Sequence, residues 1–288
     1  MTDRLTTFQR DGLTFDVADR GPLDGAVVVL LHGFPERATS WDAVVPALHD
    51  AGLRTLAPDQ RGYSPGARPA GRRAYAVTEL VADVDALVDA AGGAPVHLVG
   101  HDWGAIVAWS YAAQHPERVR TLATVSVGHP GAFLRSMAGP QVLKSWYVGA
   151  FQVPGLPERM AARRGGVMDR LLAATGMRPA DLARFRREVV DDGALPGGVA
   201  WYRALPFTPP SWTSARVRVP TTFVWSDGDT ACGRAQAERT AGWVDAPYRF
   251  RVLEGVSHWV PEHAPDELAQ LLLDGVALEG AGGAGARA

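Results

Sequence analysis

A carboxylate occupies a position at which the surrounding residues predict an exposed turn. Asp102 lies in GHDWG (100–104), which follows a run rich in Val and Leu and precedes an apolar helical pattern. Glycines on both sides of a strand-to-helix turn permit the sharp bend that presents a nucleophile. Serine at such a turn attacks acyl carbon, whereas a carboxylate can displace a leaving group from saturated carbon and become an alkyl ester. The sequence therefore predicts covalent catalysis by Asp102 at a saturated carbon.

An acid and a base for this nucleophile follow later in the chain. WSDGD (225–229) and GVSHW (255–259) each come directly after a predicted strand. The order nucleophile, acid, histidine is that of the α/β-hydrolases, so we interpret His258 as the general base. Asp227 and Asp229 are the two candidates for the acid. We favour Asp229 because it lies farther from the strand end, whereas Asp227 precedes a glycine, as a turn residue does.

Backbone donors for a developing negative charge are expected at the end of another strand. LHGFP (31–35) closes an apolar run, and in the α/β-hydrolase arrangement this loop supplies one N–H of an oxyanion hole. The residue after the nucleophile supplies the second N–H. We therefore predict Phe34 and Trp103 as donors to the carbonyl oxygen of an Asp102 ester, while Pro35 has no N–H and only shapes the loop.

The elements that position these residues alternate between strands and helices over residues 1–125, and strands return after residue 220. Strands are predicted at 13–17, 27–31, 53–57, 96–99, 119–125, 221–225 and 248–253. Helices are predicted at 41–48 (capped by Ser40), 78–90 (capped by Thr78), 105–113 and 266–273. The alternation predicts a mostly parallel central sheet flanked by helices. Together with the order of nucleophile, acid and histidine, this sheet predicts an α/β-hydrolase fold.

A helical segment interrupts this alternation. Strand patterns are missing between residues 131 and 213, and Pro, Gly and Arg separate short predicted helices at 141–151, 167–174, 180–190 and 198–205. We predict a helical cap domain, or lid, at 131–213, inserted into a core formed by residues 1–130 and 214–278. The Gly/Ala-rich residues 279–288 are predicted to form a disordered tail.

Composition excludes several classes of function. The chain has 288 residues, 47% of them hydrophobic, and a formal net charge of −2, so we expect neither nucleic acid nor a membrane as partner. The basic cluster RFRR (184–187) is interpreted as a solvated helix face. Cys232 is the single cysteine, which excludes an internal disulfide and fits a reducing compartment. The N-terminal residues lack the apolar core of a signal peptide, and we expect a cytoplasmic protein.

Several motifs together resemble those of the epoxide hydrolases of the α/β-hydrolase superfamily, up to about residue 275. They are HGFPE (32–36), DQRGYS (59–64), GHDWG (100–104), HP (129–130), WYVGAFQVPGLPE (146–158), WYR (201–203), WSDGD (225–229) and GVSHW (255–259). The HGFP and GHDWG elements also occur in dehalogenases. The FQxPG and WYR elements of the inserted segment are more specific to epoxide hydrolases.

The resemblance implies roles for individual residues. Asp102 matches the nucleophile, Asp229 the acid and His258 the base, while Tyr147 and Tyr202 match two lid tyrosines. The tyrosines would hydrogen-bond the epoxide oxygen, and one of them would protonate it as the ring opens. Water activated by His258 would then hydrolyse the ester, and the product would be a vicinal diol.

The same resemblance implies an apolar substrate site and no cofactor or metal. Residues expected to contact a small apolar epoxide are Phe34, Trp103, Phe151 and Trp259. The choice of epoxide, its regiochemistry and stereochemistry, and the state of the protein as monomer or homodimer stay open at this point.

Two other functions compete with this interpretation. A haloalkane or haloacid dehalogenase shares the aspartate nucleophile, and Trp103 could help to bind a halide. In haloalkane dehalogenases an Asn often follows His-Gly, whereas this chain has Phe34, and the paired lid tyrosines favour an epoxide. A non-hydrolytic ligand-binding relative is the alternative from another class, and the complete triad opposes it.

Overall fold

The computed structural model describes residues 3–281 and contains an eight-stranded sheet. The strands are β1 (Thr7–Arg10), β2 (Leu13–Arg20), β3 (Val27–Leu31), β4 (Arg54–Pro58), β5 (Val96–His101), β6 (Val119–Val125), β7 (Thr221–Ser226) and β8 (Tyr248–Leu253). Their order across the sheet is β1-β2-β4-β3-β5-β6-β7-β8. β1 and β2 pair antiparallel with their neighbours, and β3 to β8 run parallel. The predicted α/β-hydrolase architecture is confirmed.

The central strands are apolar because helices cover both faces of the sheet. In β3, Val28 and Leu30 belong to the core on one face, whereas Val29 and Leu31 belong to the core on the other. This alternation is the two-residue period of a strand, and burial of both sets explains why the run contains no polar residue. Because β3, β5, β7 and β8 run parallel, their carboxyl ends lie along one edge of the sheet, where loops carry the predicted site residues.

The α-helices lie between the strands and after the last one. Those preceding β7 are α1 (Val45–Asp50), α2 (Val77–Ala90), α3 (Trp103–Gln114), α4 (Pro130–Ser136), α5 (Gln141–Lys144), α6 (Trp146–Gln152), α7 (Leu156–Ala161), α8 (Val167–Ala174), α9 (Pro179–Phe185), α10 (Leu195–Ala204) and α11 (Ser211–Ser214). Those following β7 are α12 (Arg234–Arg239), α13 (Val260–His263), α14 (Pro265–Val276) and α15 (Leu278–Ala281). A π-helical turn covers Arg186–Val190.

Short 3₁₀ helices complete the secondary structure. They lie at Ala38–Trp41, Pro65–Ala67, Arg72–Tyr75, Pro116–Arg118, Leu205–Phe207 and Thr240–Trp243. The segment between β6 and β7 lies entirely within the described residues and contains helices but no strand. The assignment of 131–213 to a separate cap domain stays a prediction.

Several predicted helix boundaries differ from the observed ones. The helix expected from residue 41 begins at Val45, since Pro46 fits only the first turn of a helix, and Ser40 is buried without capping it. The helix expected from Thr78 begins one residue earlier. The helix expected over 141–151 is interrupted at Ser145, which separates α5 from α6. β1 was not predicted from the sequence.

The structure also corrects the start of the predicted tail. Residues 279–281 lie in helix α15, so they are not part of a disordered segment. The remaining tail residues, 282–288, lie outside the described residues. Among residues 3–281, no helix combines the length and the apolar character that crossing a membrane requires.

Candidate active site

Asp102 stands on a strained turn between β5 and α3. Its backbone has φ +50° and ψ −117°, a conformation that a residue with a side chain rarely adopts. A Cβ on Gly104 would lie 2.1 Å from the Leu31 carbonyl oxygen, and one on Gly100 would lie 2.2 Å from the Gly104 carbonyl oxygen. Both glycines are therefore required by the close approach of backbone around the turn.

The Asp102 carboxylate is buried and held from two sides. Its Oδ1 accepts a hydrogen bond from the Phe34 N–H at 2.8 Å, and its Oδ2 lies 3.5 Å from His258 Nε2. Burial alone would raise the pKa of Asp102, but the nearby His258 and the Phe34 N–H lower it below its usual 3.8. The group is therefore ionised, as a nucleophile must be. Trp103 begins α3, and within residues 3–281 its N–H forms no hydrogen bond to this carboxylate, so its role as a donor stays a prediction.

Asp229 lies directly behind His258. His258 Nδ1 and Asp229 Oδ2 are 2.7 Å apart, which orients the imidazole with Nε2 toward Asp102. The other Asp229 oxygen accepts hydrogen bonds from the N–H groups of Ala231 and Cys232, both at 2.7 Å. Asp227, the alternative acid, is exposed and accepts a hydrogen bond from loop backbone instead. The structure thus brings together Asp102, Asp229 and His258.

His258 carries a strongly shifted pKa. Burial disfavours the charged imidazole, but the carboxylates of Asp229 and Asp102 outweigh burial and raise the pKa well above 6.5. The backbone of His258 is also fixed, because its carbonyl oxygen accepts hydrogen bonds from Ser126 Oγ at 2.9 Å and His101 Nε2 at 3.0 Å. His258 is therefore an imidazolium when both carboxylates are ionised.

A buried network of two glutamates, a histidine and an arginine lies behind the triad and was not predicted as such. His101 Nδ1 is 3.3 Å from Glu36 Oε2, and Arg184 pairs with both Glu36 and Glu262. Burial and then the neighbouring Glu36 raise the pKa of Glu262 well above 4.5. Glu36 and His101 belong to the quoted motifs HGFPE and GHDWG, so the sequence contained a signal for them. Arg184 had been interpreted as solvated, and the structure shows that this was wrong.

The rest of the basic cluster is also less solvated than predicted. Arg186 is 3% exposed and pairs with Asp169, and Phe185 is 2% exposed. Of the four residues, only Arg187 is exposed. A charged run does not reveal buried long-range partners, which explains the error.

Tyr147 lies on α6 and Tyr202 on α10, in the helical segment between β6 and β7, and both line cavities that Asp102 also lines. Their ring centroids are 5.9 Å apart, and the Tyr202 ring also contacts the rings of Phe34 and Trp103 at 5.2 Å and 5.0 Å. Burial raises the pKa of both phenols well above 10.0, and the Asp102 charge acts in the same direction. Both phenols are therefore protonated and able to donate.

Two cavities meet at these residues. The first has a volume of about 300 Å³ and the second about 290 Å³, and both are lined by Asp102, Tyr147 and Tyr202. Phe34, Phe151, Trp259 and His258 line the first cavity, and Trp103 lines the second. Every residue that the sequence predicts to contact substrate thus lines one of the two cavities.

One cluster in the described residues offers metal-ligating atoms. Atoms of Asp229, Cys232 and His258 lie within 4.8 Å of one another. Both oxygens of Asp229 already accept hydrogen bonds, and His258 Nδ1 contacts one of them. A metal here would have to displace the bonds that orient the histidine.

The chain matches a family model described as alpha/beta hydrolase fold over residues 26–265. It is 34% identical to AB hydrolase superfamily protein YfhM of Bacillus subtilis, over 92% of this chain and 94% of the relative. It is 32% identical to Epoxide hydrolase A of Mycobacterium tuberculosis, over 95% of this chain and 96% of the relative. The crystal structure of Epoxide Hydrolase A from Mycobacterium thermoresistibile aligns with a TM-score of 0.79 at 28% identity, over 93% of this chain and 96% of that chain. This chain belongs to the epoxide hydrolase family of the α/β-hydrolase superfamily.

Proposed function

We propose that the protein hydrolyses an epoxide to a vicinal diol through a covalent ester on Asp102. The observation that supports this most strongly is that an ionised carboxylate from the edge of the sheet and two protonated phenols from the helical segment line one space. Asp102, Tyr147 and Tyr202 line both cavities where they meet. A nucleophile on one side and proton donors on the other are what ring opening of an epoxide requires.

In the first step, an Asp102 oxygen forms a bond to one ring carbon and the bond from that carbon to the epoxide oxygen breaks. The electron pair remains on the oxygen, and Tyr147 or Tyr202 transfers its phenolic proton to it. A bare alkoxide is a poor leaving group, so donation at this oxygen lowers the barrier. The products of the step are an alkyl ester of Asp102, a neighbouring hydroxyl group and one phenolate.

Formation of the ester also changes His258. The Asp102 charge, one cause of the raised pKa of His258, disappears when the carboxylate becomes an ester. The imidazolium then releases its proton, and this proton balances the one that the phenol has lost. The alkylation step therefore converts His258 into the base that the next step needs.

In the second step, His258 takes a proton from water, and the resulting hydroxide attacks the carbonyl carbon of the Asp102 ester. Negative charge develops on the carbonyl oxygen, where the Phe34 N–H donates in the free enzyme at 2.8 Å and the Trp103 N–H is the second proposed donor. Collapse breaks the bond between this carbon and the ester oxygen that Asp102 supplied, and this oxygen takes the proton from His258 and leaves as a hydroxyl group of the diol. The new Asp102 acid returns its own proton to His258, and the starting state is restored.

We also propose that residues 131–213 form a cap domain over a core of residues 1–130 and 214–278. Contacts between the two parts support the placement of this cap on the core. Trp201 Nε1 donates to the Arg61 carbonyl oxygen at 2.8 Å, and His263 Nε2 lies 3.0 Å from Asp181 Oδ2. The cap holds both tyrosines over the sheet edge and excludes water from the first step.

The test is capture of the ester in H258Q. This variant retains the nucleophile and the phenols but lacks the base, so incubation with an epoxide that the wild type hydrolyses should add the mass of that epoxide to the protein. Peptide mapping should place the added mass on the peptide that contains Asp102. A folded H258Q protein that gains no mass from such a substrate would contradict covalent catalysis.

A further inference from the structure

Lys144 is the single lysine in the chain, and it lies in the substrate cavity. The other side chains counted as Lys or Arg are all arginines. Lys144 ends α5, three residues before Tyr147, and lines the first cavity together with Asp102. It is half-buried. Nothing in the proposed two-step reaction uses this side chain.

The ammonium group of Lys144 is held in place but incompletely used. Nζ donates to the carbonyl oxygen of Asp229 at 3.1 Å, and the aliphatic stem runs beside Gly233. An ammonium group has three N–H donors, so two remain for another partner. Within residues 3–281 Lys144 forms no ion pair, whereas Arg184 and Arg203 of the same helical segment each pair with a glutamate. Lys144 is therefore a positioned cation without an anion.

The two cavities differ in charge. Among residues 3–281, Asp102 is the only Asp, Glu, Lys or Arg that lines the second cavity, whose other walls are mostly apolar: Ile106, Val127, Phe133, Leu134, Met137 and Trp212. The first cavity contains Lys144 in addition to Asp102 and His258. An epoxide placed between Asp102 and the two phenols would direct one substituent into each cavity. One substituent then meets an apolar wall and the other meets a cation.

We propose that Lys144 binds a carboxylate of the substrate, and that the enzyme acts on epoxides with an apolar group on one ring carbon and a short acidic arm on the other. This inference rests on the proposed function and names its substrate class. A carboxylate approaching Asp102 is repelled, and the ammonium offsets this repulsion at the position where the arm ends. The Lys144 ammonium, with two free donors, matches one carboxylate, whereas the Nδ1 of the His258 imidazolium is already bonded to Asp229.

A binding measurement tests the anion site without catalysis. Calorimetric titration of the wild type should show octanoate binding at least about 10-fold more tightly than octanamide, the range for a hydrogen bond to a charged group. K144M should lose this preference, and K144R should retain most of it. R170M is the matched control, because Arg170 is an exposed cation on α8 without an ion pair in residues 3–281. A preference that persists in K144M, or its absence in the wild type, would overturn the proposal.

A kinetic comparison separates this proposal from the proposed function. The ratio of kcat/KM for an epoxy carboxylate to that for its methyl ester should fall about 10-fold or more in K144M, mostly through KM of the acid. If Lys144 only positions the Asp229 loop, both substrates should lose kcat equally, and the anion site is refuted. Hydrolysis of both with an unchanged ratio also refutes it while leaving the proposed function intact. Lys144-dependent octanoate binding with no hydrolysis of any epoxide would instead refute the proposed function.

Discussion

The two sides of the cavity are held in different ways. On the sheet side, backbone N–H groups fix the carboxylates: Phe34 donates to Asp102, and Ala231 and Cys232 donate to Asp229. On the helical side, Tyr147 and Tyr202 are held by ring contacts at 5.0–5.9 Å with Phe151 and each other. Hydrogen bonds fix an atom in direction as well as distance, whereas ring contacts mainly fix a plane.

The two sides of the cavity therefore have different chemical tasks. Most changes of charge occur on the sheet side, at Asp102 and His258, where preorganised donors and the Asp229–His258 pair are needed, whereas the helical side carries only the transient phenolate. The helical side supplies neutral phenols and an apolar wall, which packing alone can position. Substitutions on the sheet side should therefore affect rate most, and substitutions on the helical side should divide between rate and stability.

The largest effect is expected for the acid on the sheet side. D229A should lower kcat by about 10⁴-fold, because His258 loses the partner that orients it and stabilises its charge. D227A is the matched control, since Asp227 is exposed and contacts only loop backbone. Steady-state kinetics on one epoxide checks both variants. A larger loss in D227A than in D229A would reverse the assignment of the acid.

The second effect concerns the phenols. Y147F and Y202F should each slow alkylation by roughly 10²-fold to 10³-fold, and the double variant should lose nearly all ring opening. Rapid-quench measurement of ester formation isolates this step. A halide leaves as a stable anion, so any reaction with haloacetate should depend on the phenols much less. Ring opening at nearly the wild-type rate in the double variant would favour the dehalogenase alternative.

A smaller effect is expected from pH. The pKa of Asp102 lies below 3.8 and those of both phenols lie above 10.0, so alkylation should stay constant through the neutral range. Hydrolysis needs neutral His258, and its rate should fall about tenfold per pH unit below the pKa of His258 in the ester. The ester should therefore accumulate as pH falls. Quenched-flow mass measurement at several pH values checks this, and a constant ester fraction would contradict it.

The smallest effect concerns stability on the helical side. W201F removes the hydrogen bond to the Arg61 carbonyl oxygen and should lower the free energy of unfolding by about 1–3 kcal/mol. W146F is the matched control because Trp146 lies on the same segment with 54% of its surface exposed. Urea denaturation measures both. Equal stability of the two variants would show that this contact does not anchor the segment.

Local sequence patterns predicted most of the sheet and the chemistry at its edge. The bounds of β3 and β6 match the prediction, because an apolar run between turn residues defines a buried strand. The structure brings Asp102, Asp229 and His258 together because parallel strands end at the same edge. Arg184 was misread as solvated because its partners, Glu36 and Glu262, are distant in sequence. Lys144 was missed because a sequence does not show which side chains line a cavity. The helix predicted over 141–151 is two helices, α5 and α6, because the break at Ser145 leaves no clear signal in the sequence.

The central claim is that Asp102, not water, attacks the epoxide. The most direct measurement is a single turnover with enzyme in excess, in water enriched in heavy oxygen. We predict that the first diol contains only light oxygen, one atom from the epoxide and the other from the Asp102 carboxylate, and that the heavy isotope appears in the peptide containing Asp102. Heavy oxygen in the diol of the first turnover, with none in the protein, would show that water attacks the ring directly and that Asp102 is a base.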